Sequence, residues 1–410
     1  MSDRPYLTAQ LDVLNAMLKG VEHLKSIASN PNGNADDYDY SFASYCSDLS
    51  DLSEFSISTK GFSALTDTSI GSFMHNLCSR TANVFNAPYA RLCFGGSSQS
   101  MLMLVGKILP GRVKDKRRTI AMVDVQGHQA SLGGIELGHW DMVKLDRKHF
   151  PLLGVSAPLT LETVKAAADA NGTEKIAALI YNPISYDGFR NRAEERKIFE
   201  YCRRNGILVI CDFAWSPAYS LYQNAEEPIS LLDYCDSCCC SPHKKGLFNS
   251  SVSVLLFKEP AMAEQVTEAG RLGWMTTSPS YGLLQLVDYR LAKIESGEAI
   301  QALNDVVEIS QNLRHWFNQL SPHMYCVKPS DVGADYQCPS HLLLSSGKSG
   351  IDCRKIGKWL SENALTDVEK TTKQTCLYLV SQTHKPLQSR LIGDLAEAIS
   401  VLKTSGKEFS

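Results

Sequence analysis

The sequence has no strong excess of charge and no long apolar run. Its formal net charge is only −3 over 410 residues, and it contains no extended cluster of Lys and Arg. Nucleic-acid binders and membrane-surface binders usually carry a basic patch, so both classes are disfavoured. Apolar runs such as residues 206–211 are far shorter than the roughly 20 residues that span a bilayer. We therefore expect neither a nucleic-acid partner nor a membrane partner.

An uninterrupted apolar leader is also missing, because the first twenty residues interleave Asp3, Arg4, Asp12 and Lys19 with apolar positions. Cysteine, by contrast, is plentiful. Its odd number, 13, and the adjacent cysteines at 238–240 favour free thiols in a reducing compartment over a disulfide framework. The sequence thus predicts a cytoplasmic protein. A hydrophobic content of 44% is enough for a large domain with a full core and a smaller second one.

Apolar periodicity divides the chain into three predicted parts. Residues 1–65 form an N-terminal arm, in which a helical pattern at 8–29 precedes a polar, loop-like stretch. Residues 66–305 form a large domain, where helical segments alternate with short apolar runs. Such alternation predicts a largely parallel sheet of the α/β class. The predicted strands are residues 119–124, 176–181, 207–211 and 252–257.

Residues 306–410 are predicted to form a small C-terminal α/β domain. A long helical pattern over 282–320 leads into it, and apolar runs at 340–346 and 375–381 predict two strands. Helices predicted at 351–363 and 385–403 would pack on these strands.

Three sites along the large domain carry residues suited to chemistry. The segment Phe94-Gly-Gly-Ser-Ser-Gln-Ser100 precedes a helical segment, so its hydroxyls and the helix N-terminus suit a phosphate, although such turns are commonly only caps. Asp212 directly follows a predicted strand, where ligands of open α/β sheets bind, but it could equally cap a loop. Lys244 lies beside Lys245, and two adjacent lysines are more often a solvated loop than a nucleophile.

The order of these three sites favours one cofactor. Pyridoxal 5'-phosphate requires a phosphate turn, an acid that keeps the pyridine nitrogen protonated and a lysine that forms the Schiff base. Ser97, Asp212 and Lys244 supply these groups in that order.

Short motifs from about Asp48 to Arg290 resemble, in register, those of the ornithine/lysine/arginine decarboxylase family of fold-type I pyridoxal phosphate enzymes. The motifs are Asp48-Leu-Ser-Asp-Leu-Ser-Glu54, Asn83-Val-Phe-Asn-Ala-Pro88, Gly96-Ser-Ser98, His128-Gln-Ala-Ser131, Asn182-Pro-Ile-Ser-Tyr-Asp-Gly188, Asp212-Phe-Ala-Trp215, Ser241-Pro-His-Lys244 and Thr276-Thr-Ser-Pro-Ser-Tyr281. The resemblance implies a fold-type I α/β enzyme with pyridoxal phosphate as its cofactor and a small-molecule amino acid as its substrate.

The resemblance also assigns roles to individual residues. It implies that Lys244 is the Schiff-base lysine, that Asp212 binds the pyridine nitrogen and that His128 stacks on the ring. His243 would lie over the substrate. The remaining cofactor contacts it implies are Ser97, Ser98 and Ser241 at the phosphate and Ala214 and Trp215 at the ring wall. Thr277 and Ser278 would reach the phosphate of the partner subunit, which implies a homodimer with a shared active site.

The sequence departs from the family pattern at places that bear on the type of reaction, whereas the cofactor motifs are present. The family's Pro-Gly-His-Lys segment has no counterpart in residues 25–45, and the long C-terminal extension of the large decarboxylases is absent. The run 374–380 lacks the late-strand arginine with which aminotransferases of this fold hold the substrate carboxylate, which favours decarboxylation, although Arg390 could still serve.

We therefore predict a carboxy-lyase that acts on a basic L-amino acid. An aminotransferase, an oxidising or cyclising enzyme of amino-acid-derived biosynthesis, and a non-catalytic binding protein on the same fold are the alternatives. The acid that would bind the basic side chain stays open among Asp48, Asp51, Glu54 and Asp187.

A metal site is the competing interpretation of the cysteine cluster. Cys235, Cys238, Cys240 and His243 could be zinc ligands, but neighbouring side chains on an extended segment point in opposite directions. We expect no metal.

Overall fold

A computed structural model describes residues 73–221, 230–245, 247–248, 251–269, 281–320, 324–346, 350–364 and 366–405. These residues form two compact units. Of the described residues, the first unit contains those within 73–114, 129–139 and 230–298, and the second contains those within 115–128, 140–221 and 299–405. The predicted arm at 1–65, with its helix at 8–29, lies outside the described residues. The division into arm, large domain and small domain stays a prediction.

The helices of the described residues are α1 (Phe73–Val84), α2 (Gly96–Met103), α3 (Leu109–Arg112), α4 (Gln129–Leu137), α5 (Leu161–Asn171), α6 (Arg192–Arg204), α7 (Pro260–Ala269), α8 (Tyr281–Glu295), α9 (Glu298–Leu320), α10 (Cys353–Trp359) and α11 (Gln388–Ser405). The strands are β1 (Tyr89–Cys93), β2 (Ile120–Asp124), β3 (Asp141–Leu145), β4 (His149–Phe150), β5 (Val155–Ser156), β6 (Ile176–Tyr181), β7 (Phe189–Arg190), β8 (Leu208–Phe213), β9 (Ser237–Cys240), β10 (Ser253–Phe257), β11 (Tyr325–Cys326), β12 (Tyr336–Gln337), β13 (His341–Ser345), β14 (Lys370–Thr371) and β15 (Thr375–Leu379).

The second unit contains the parallel strands, which pair in the order β3-β2-β6-β8. Val123 aligns with Ile180, which in turn aligns with Ile210. Every residue of β6 is buried, as expected for a strand covered on both faces. Because parallel strands run in one direction, the residues that follow Asp124, Tyr181 and Phe213 meet at one edge of the sheet.

The first unit contains three antiparallel strands in the order β1-β10-β9. Cys93 aligns with Ser253, and Val254 aligns with Cys240. β9 is short and entirely buried, which the small side chains of serine and cysteine allow. The connection from β9 to β10 carries residues 241–252, so an antiparallel pair presents the predicted lysine turn.

The C-terminal segment of the second unit forms an antiparallel sheet in the order β11-β13-β15-β14. The predicted strands at 340–346 and 375–381 correspond to β13 and β15. Their apolar side chains, including Leu342 and Cys376, share a core with Phe317 of α9 and Leu395 of α11. β14 pairs with β15 at the edge of this sheet.

One predicted helix is wrong in its extent. The pattern at 282–320 was expected to be continuous, but the structure has α8 and α9 with a break at Ser296 and Gly297. Gly297 has φ +85°, a left-handed conformation that favours glycine and ends a helix. None of the helices in the described ranges has the length and apolarity needed to cross a bilayer.

Candidate active site

The glycine–serine turn of the first unit begins a helix. Gly96 has φ +72°, and α2 starts at this residue. Ser97 is half-buried and Ser98 is exposed, both in the first turn, where backbone N–H groups have no partner within the helix. This end of α2 therefore offers hydroxyl and N–H donors together with the positive end of the helix dipole.

The same helix end packs against the connection that carries Lys244. The Cys239 thiol donates to the carbonyl oxygen of Ser97 at 3.8 Å. Ser251 Oγ donates to the carbonyl oxygen of Phe94 at 2.8 Å, and Ser100 Oγ lies 2.7 Å from Ser253 Oγ. These contacts hold the predicted phosphate turn against both ends of the β9–β10 connection.

Lys244 lies on a short 3-10 turn, Pro242–Lys245, directly after β9. Its backbone N–H donates to the carbonyl oxygen of Ser241 at 3.0 Å, and its side chain is exposed. His243 Nδ1 lies 3.2 Å from the carbonyl oxygen of Val252. Because a carbonyl oxygen only accepts, Nδ1 carries the proton in this contact and Nε2 of the neutral ring is an acceptor.

Ser241 provides a test of whether a phosphate fits. Its side chain is fully buried, and among the described residues its Oγ has no hydrogen-bond partner. A buried hydroxyl without a partner is costly, so an acceptor supplied by a ligand would satisfy it. The residues of this region fit a bound phosphate group.

The structure does not support the zinc interpretation of the cysteine cluster. Among the described residues, no three His, Cys, Asp or Glu side chains form a group that could hold a metal ion. Cys238, Cys239 and Cys240 are buried in β9, and their side chains alternate between the two faces of the strand.

Asp212 lies at the carboxyl edge of the parallel sheet in the second unit. It is 3% exposed, and its Oδ1 accepts a hydrogen bond from the backbone N–H of Ala214 at 2.8 Å. The Asn182 side-chain amide donates to the carbonyl oxygen of Asp212 at 3.3 Å. Ala214 is buried and Trp215 is half-buried. The end of β8 and the turn after it thus present a buried carboxylate beside a small residue and an indole.

A second strand-terminal acid, which our sequence reasoning missed, is neutralised by an arginine. Asp124 ends β2, and Arg147 Nε lies 3.1 Å from each of its carboxylate oxygens. Both side chains are almost completely buried. Arg147 also donates to the carbonyl oxygen of Asn182, so one guanidinium joins the ends of β2 and β6. An acid at the end of a predicted strand was the available signal, but nothing local pointed to Arg147.

His128 follows this anchored strand end. Asp124 Oδ1 accepts from the backbone N–H of Gln126 at 3.0 Å, and the carbonyl oxygen of Asp124 accepts from Gly127 at 2.8 Å. The resulting turn leaves the His128 side chain exposed, directly before α4. His128 follows β2, and Ala214 and Trp215 follow β8. Asp212 was expected to follow its strand, but it lies inside β8, which extends to Phe213.

Trp215 belongs to an aromatic cluster that the sequence did not indicate. Its indole stacks on the Tyr186 ring, with centroids 4.5 Å apart and an interplanar angle of 10°. Its Nε1 donates to the Tyr186 carbonyl oxygen at 2.9 Å. The His341 ring packs edge-on at 6.0 Å, close enough that a Cβ on Gly188, which has φ +87°, would lie 2.7 Å from that side chain. Glycine is therefore required at 188 by both conformation and space.

Five of the residues named from the sequence lie outside the described residues: Thr277, Ser278, Asp48, Asp51 and Glu54. Arg390, considered above for the substrate carboxylate, instead donates to the carbonyl oxygen of Ala364 at 2.6 Å and lies 3.5 Å from Asp394.

The chain resembles known proteins in both sequence and fold. It is 25% identical to an arginine decarboxylase of Halalkalibacterium halodurans over 306 residues, which are 73% of this chain and 59% of the relative. Among solved structures, the E. coli constitutive lysine decarboxylase matches with a TM-score of 0.66 and 17% identity, over 96% of this chain and 61% of that one. A structure of SPT with pyridoxal phosphate matches with a TM-score of 0.61 and 11% identity, over 82% and 79% of the two chains.

The chain has the fold of the fold-type I pyridoxal phosphate enzymes. The α/β fold class expected from the sequence, with its parallel strands and C-terminal α/β segment, is confirmed. No family model matches the chain. The chain spans 59% of the length of its decarboxylase relative, so the activity of that whole protein is carried over only as a proposal.

Proposed function

We propose that this chain is a pyridoxal phosphate-dependent carboxy-lyase that removes the carboxylate of a basic L-amino acid. The observation that carries the proposal is the position of Lys244. Its exposed side chain follows β9 on a turn directly after Ser241, whose buried hydroxyl has no partner among the described residues. On either side of this turn, Cys239 and Ser251 form hydrogen bonds with the serine-rich segment at the start of α2.

The resemblance assigns the cofactor contacts to individual residues. In the first unit, Ser97, Ser98 and Ser241 would donate hydrogen bonds to the phosphate. In the second, Asp212 would bind the pyridine nitrogen. His128, Ala214 and Trp215 would line the ring. The bound cofactor supplies an electron sink that weakens a bond at the substrate Cα.

The protein's own groups would handle protons at the reacting carbon. Lys244 supplies an amine on a short rigid turn. His243 is next to it and has its Nδ1 proton engaged by Val252, so its Nε2 is the atom that accepts or returns a proton. The buried carboxylate of Asp212 is oriented by the N–H of Ala214 and would hold a proton on the ring nitrogen.

The choice of decarboxylation is supported by the absence of a carboxylate clamp from the expected strand. β15, Thr375–Leu379, contains no arginine. Arg390 is engaged by Ala364 and Asp394, and Lys370 lies 2.7 Å from Asp187. A carboxylate that is to be expelled gains nothing from strong ground-state stabilisation. The similarity to an arginine decarboxylase supports the same choice and a basic substrate.

Transamination and oxidative or cyclising chemistry are the alternatives, because they need the same cofactor residues. A keto-acid requirement would distinguish the first, and oxygen uptake would distinguish the second.

Arginine, lysine and ornithine labelled at the carboxyl carbon provide the test. We expect labelled carbon dioxide from at least one of them without added keto acid. The matched control is Lys244→Ala, which keeps the fold and lacks the amine. No label released by the wild type from any of the three, together with turnover driven by a keto acid or by oxygen, would replace decarboxylation by one of the alternatives.

Two further features belong to the proposal. We propose a homodimer whose Thr277 and Ser278 reach the phosphate of the partner subunit, and a cytoplasmic location. We propose a small-molecule amino acid as the substrate and no nucleic-acid or membrane partner.

A further inference from the structure

The Tyr186 ring extends the surface of the Trp215 wall. Trp215 is three residues after Asp212, and Tyr186 stacks on it at 4.5 Å. Lys370 Nζ lies 5.6 Å from the Tyr186 centroid, so Tyr186 is held between the indole and an ammonium group. Tyr186 is nevertheless 45% exposed. The stack leads from the predicted ring wall to a solvent-accessible phenol.

Glu369 lies at the outer end of this stack. The Tyr186 hydroxyl donates directly to Glu369 Oε1, and the Glu369 side chain is exposed. Its backbone N–H donates to the carbonyl oxygen of Leu377 at 2.9 Å, which anchors it to β15 immediately before β14. Burial and the neighbouring Glu369 carboxylate raise the pKa of Tyr186, so the phenol keeps the proton that it donates. The Tyr186 hydroxyl and the backbone bond to Leu377 together hold Glu369 beside the stack.

The two acids beside the stack, Asp187 and Glu369, differ in their exposure. Asp187, a candidate from the sequence for binding a basic side chain, is 5% exposed and lies 2.7 Å from Lys370 Nζ. That ion pair cancels its charge and withdraws it from solvent. Glu369 is the acid next to this pair that keeps both exposure and charge.

We infer that Glu369 is the specificity-determining residue that binds the distal cationic group of a basic substrate, with the Trp215–Tyr186 stack as the apolar wall along which the substrate's methylene chain lies. The inference rests on the proposed function for its choice of substrate class. An ammonium or guanidinium group paired with a carboxylate forms a charge-assisted hydrogen bond.

The test compares 1,5-diaminopentane with 1-aminopentane, which differ only in the distal amine. Binding of each to the cofactor-loaded protein is measured by calorimetry for the wild type and for Glu369→Gln, which keeps an acceptor for Tyr186 but removes the charge. We expect the preference of the wild type for the diamine to fall about tenfold or more in Glu369→Gln. Glu369→Asp should retain most of it. Glu362→Gln is the matched control, since Glu362 is an exposed acid in the same unit, paired with Lys358, and should keep the full preference.

A wild type without a diamine preference, or a Glu369→Gln variant that keeps it, would overturn the inference. The release of labelled carbon dioxide tests the proposed function separately. If a basic amino acid is decarboxylated with an unchanged KM in Glu369→Gln, the role of Glu369 fails and the function stands. If the preference falls in the variant but no carbon dioxide forms, the binding site stands and decarboxylation fails.

Discussion

Two lysines stand side by side at 244 and 245, and their chemistry is expected to differ. Lys244 follows β9 with its amine exposed, beside His243 and the unsatisfied hydroxyl of Ser241. The resemblance assigns the covalent link with the cofactor to Lys244. We expect borohydride treatment to bleach the yellow protein and to fix the cofactor to this residue.

Mass spectrometry of the digested, reduced protein checks this assignment. Lys245→Arg is the matched control, because it preserves a positive charge next to Lys244 and should give the same modified peptide. An adduct found on Lys245 or on another residue would show that the assignment is wrong.

Asp212 is the penultimate residue of β8, whereas Asp124 is the last residue of β2 and pairs with the buried Arg147. We expect Asp212→Asn to retain some cofactor and to lose most activity, because an amide does not hold a proton on the pyridine nitrogen. A charge-assisted hydrogen bond of this kind is worth about 1.5 to 3 kcal/mol, and the loss in kcat can exceed that. The measurement is kcat together with cofactor affinity, and near-wild-type turnover would remove Asp212 from the mechanism.

At the scale of the elements, the Asp124–Arg147 pair holds the ends of three strands. Arg147 follows β3, contacts Asp124 of β2 and donates to the carbonyl oxygen of Asn182 after β6. The His128 turn and the Asn182 side chain, which contacts Asp212, both depend on this anchor.

We expect Arg147→Met to lower the free energy of unfolding by about 3 to 5 kcal/mol, because it leaves the Asp124 carboxylate buried without its partner. Urea unfolding monitored by circular dichroism measures the change. Lys358→Met is the control for removing a cation from an exposed pair and should cost below about 1 kcal/mol. Equal effects of the two substitutions would mean that the buried pair does not anchor the sheet edge.

At the scale of the whole molecule, the proposed dimer connects residues that are far apart along the chain. Thr277→Ala combined with Ser278→Ala should weaken cofactor binding, by about 1 kcal/mol or more for each lost donor, although Ser97 and Lys244 are unchanged. Titration with the cofactor, followed by absorbance, measures the affinity. Ser330→Ala removes an exposed hydroxyl elsewhere and should have no effect.

Light scattering measures the mass of the protein in solution and so tests whether it is a dimer. We expect the mass of two chains. A monomer that binds the cofactor tightly would contradict both the dimer and the role of Thr277 and Ser278.

The sequence alone was sufficient for the elements that have a strong local signal. Continuous apolar runs predicted β2, β6, β8 and β10, because a strand buried on both faces must be apolar throughout. The motif around Lys244 and the acid near the end of β8 could also be identified from the sequence, because the phosphate turn, the acid and the lysine occur along the chain in that order. The fold class follows from these features.

Only the tertiary structure decided which charges remain available for chemistry. Arg147 contacts Asp124, which is 23 residues away in the sequence. Lys370 contacts Asp187, and Glu369 contacts Tyr186, each across 183 residues. No local periodicity encodes such pairings, because they depend on how β2, β3 and β14 are placed by the packing of the sheets. The sequence could therefore name Asp187 as a candidate for binding a basic side chain. Only the folded chain pairs Asp187 with Lys370 and leaves Glu369 exposed beside the aromatic stack.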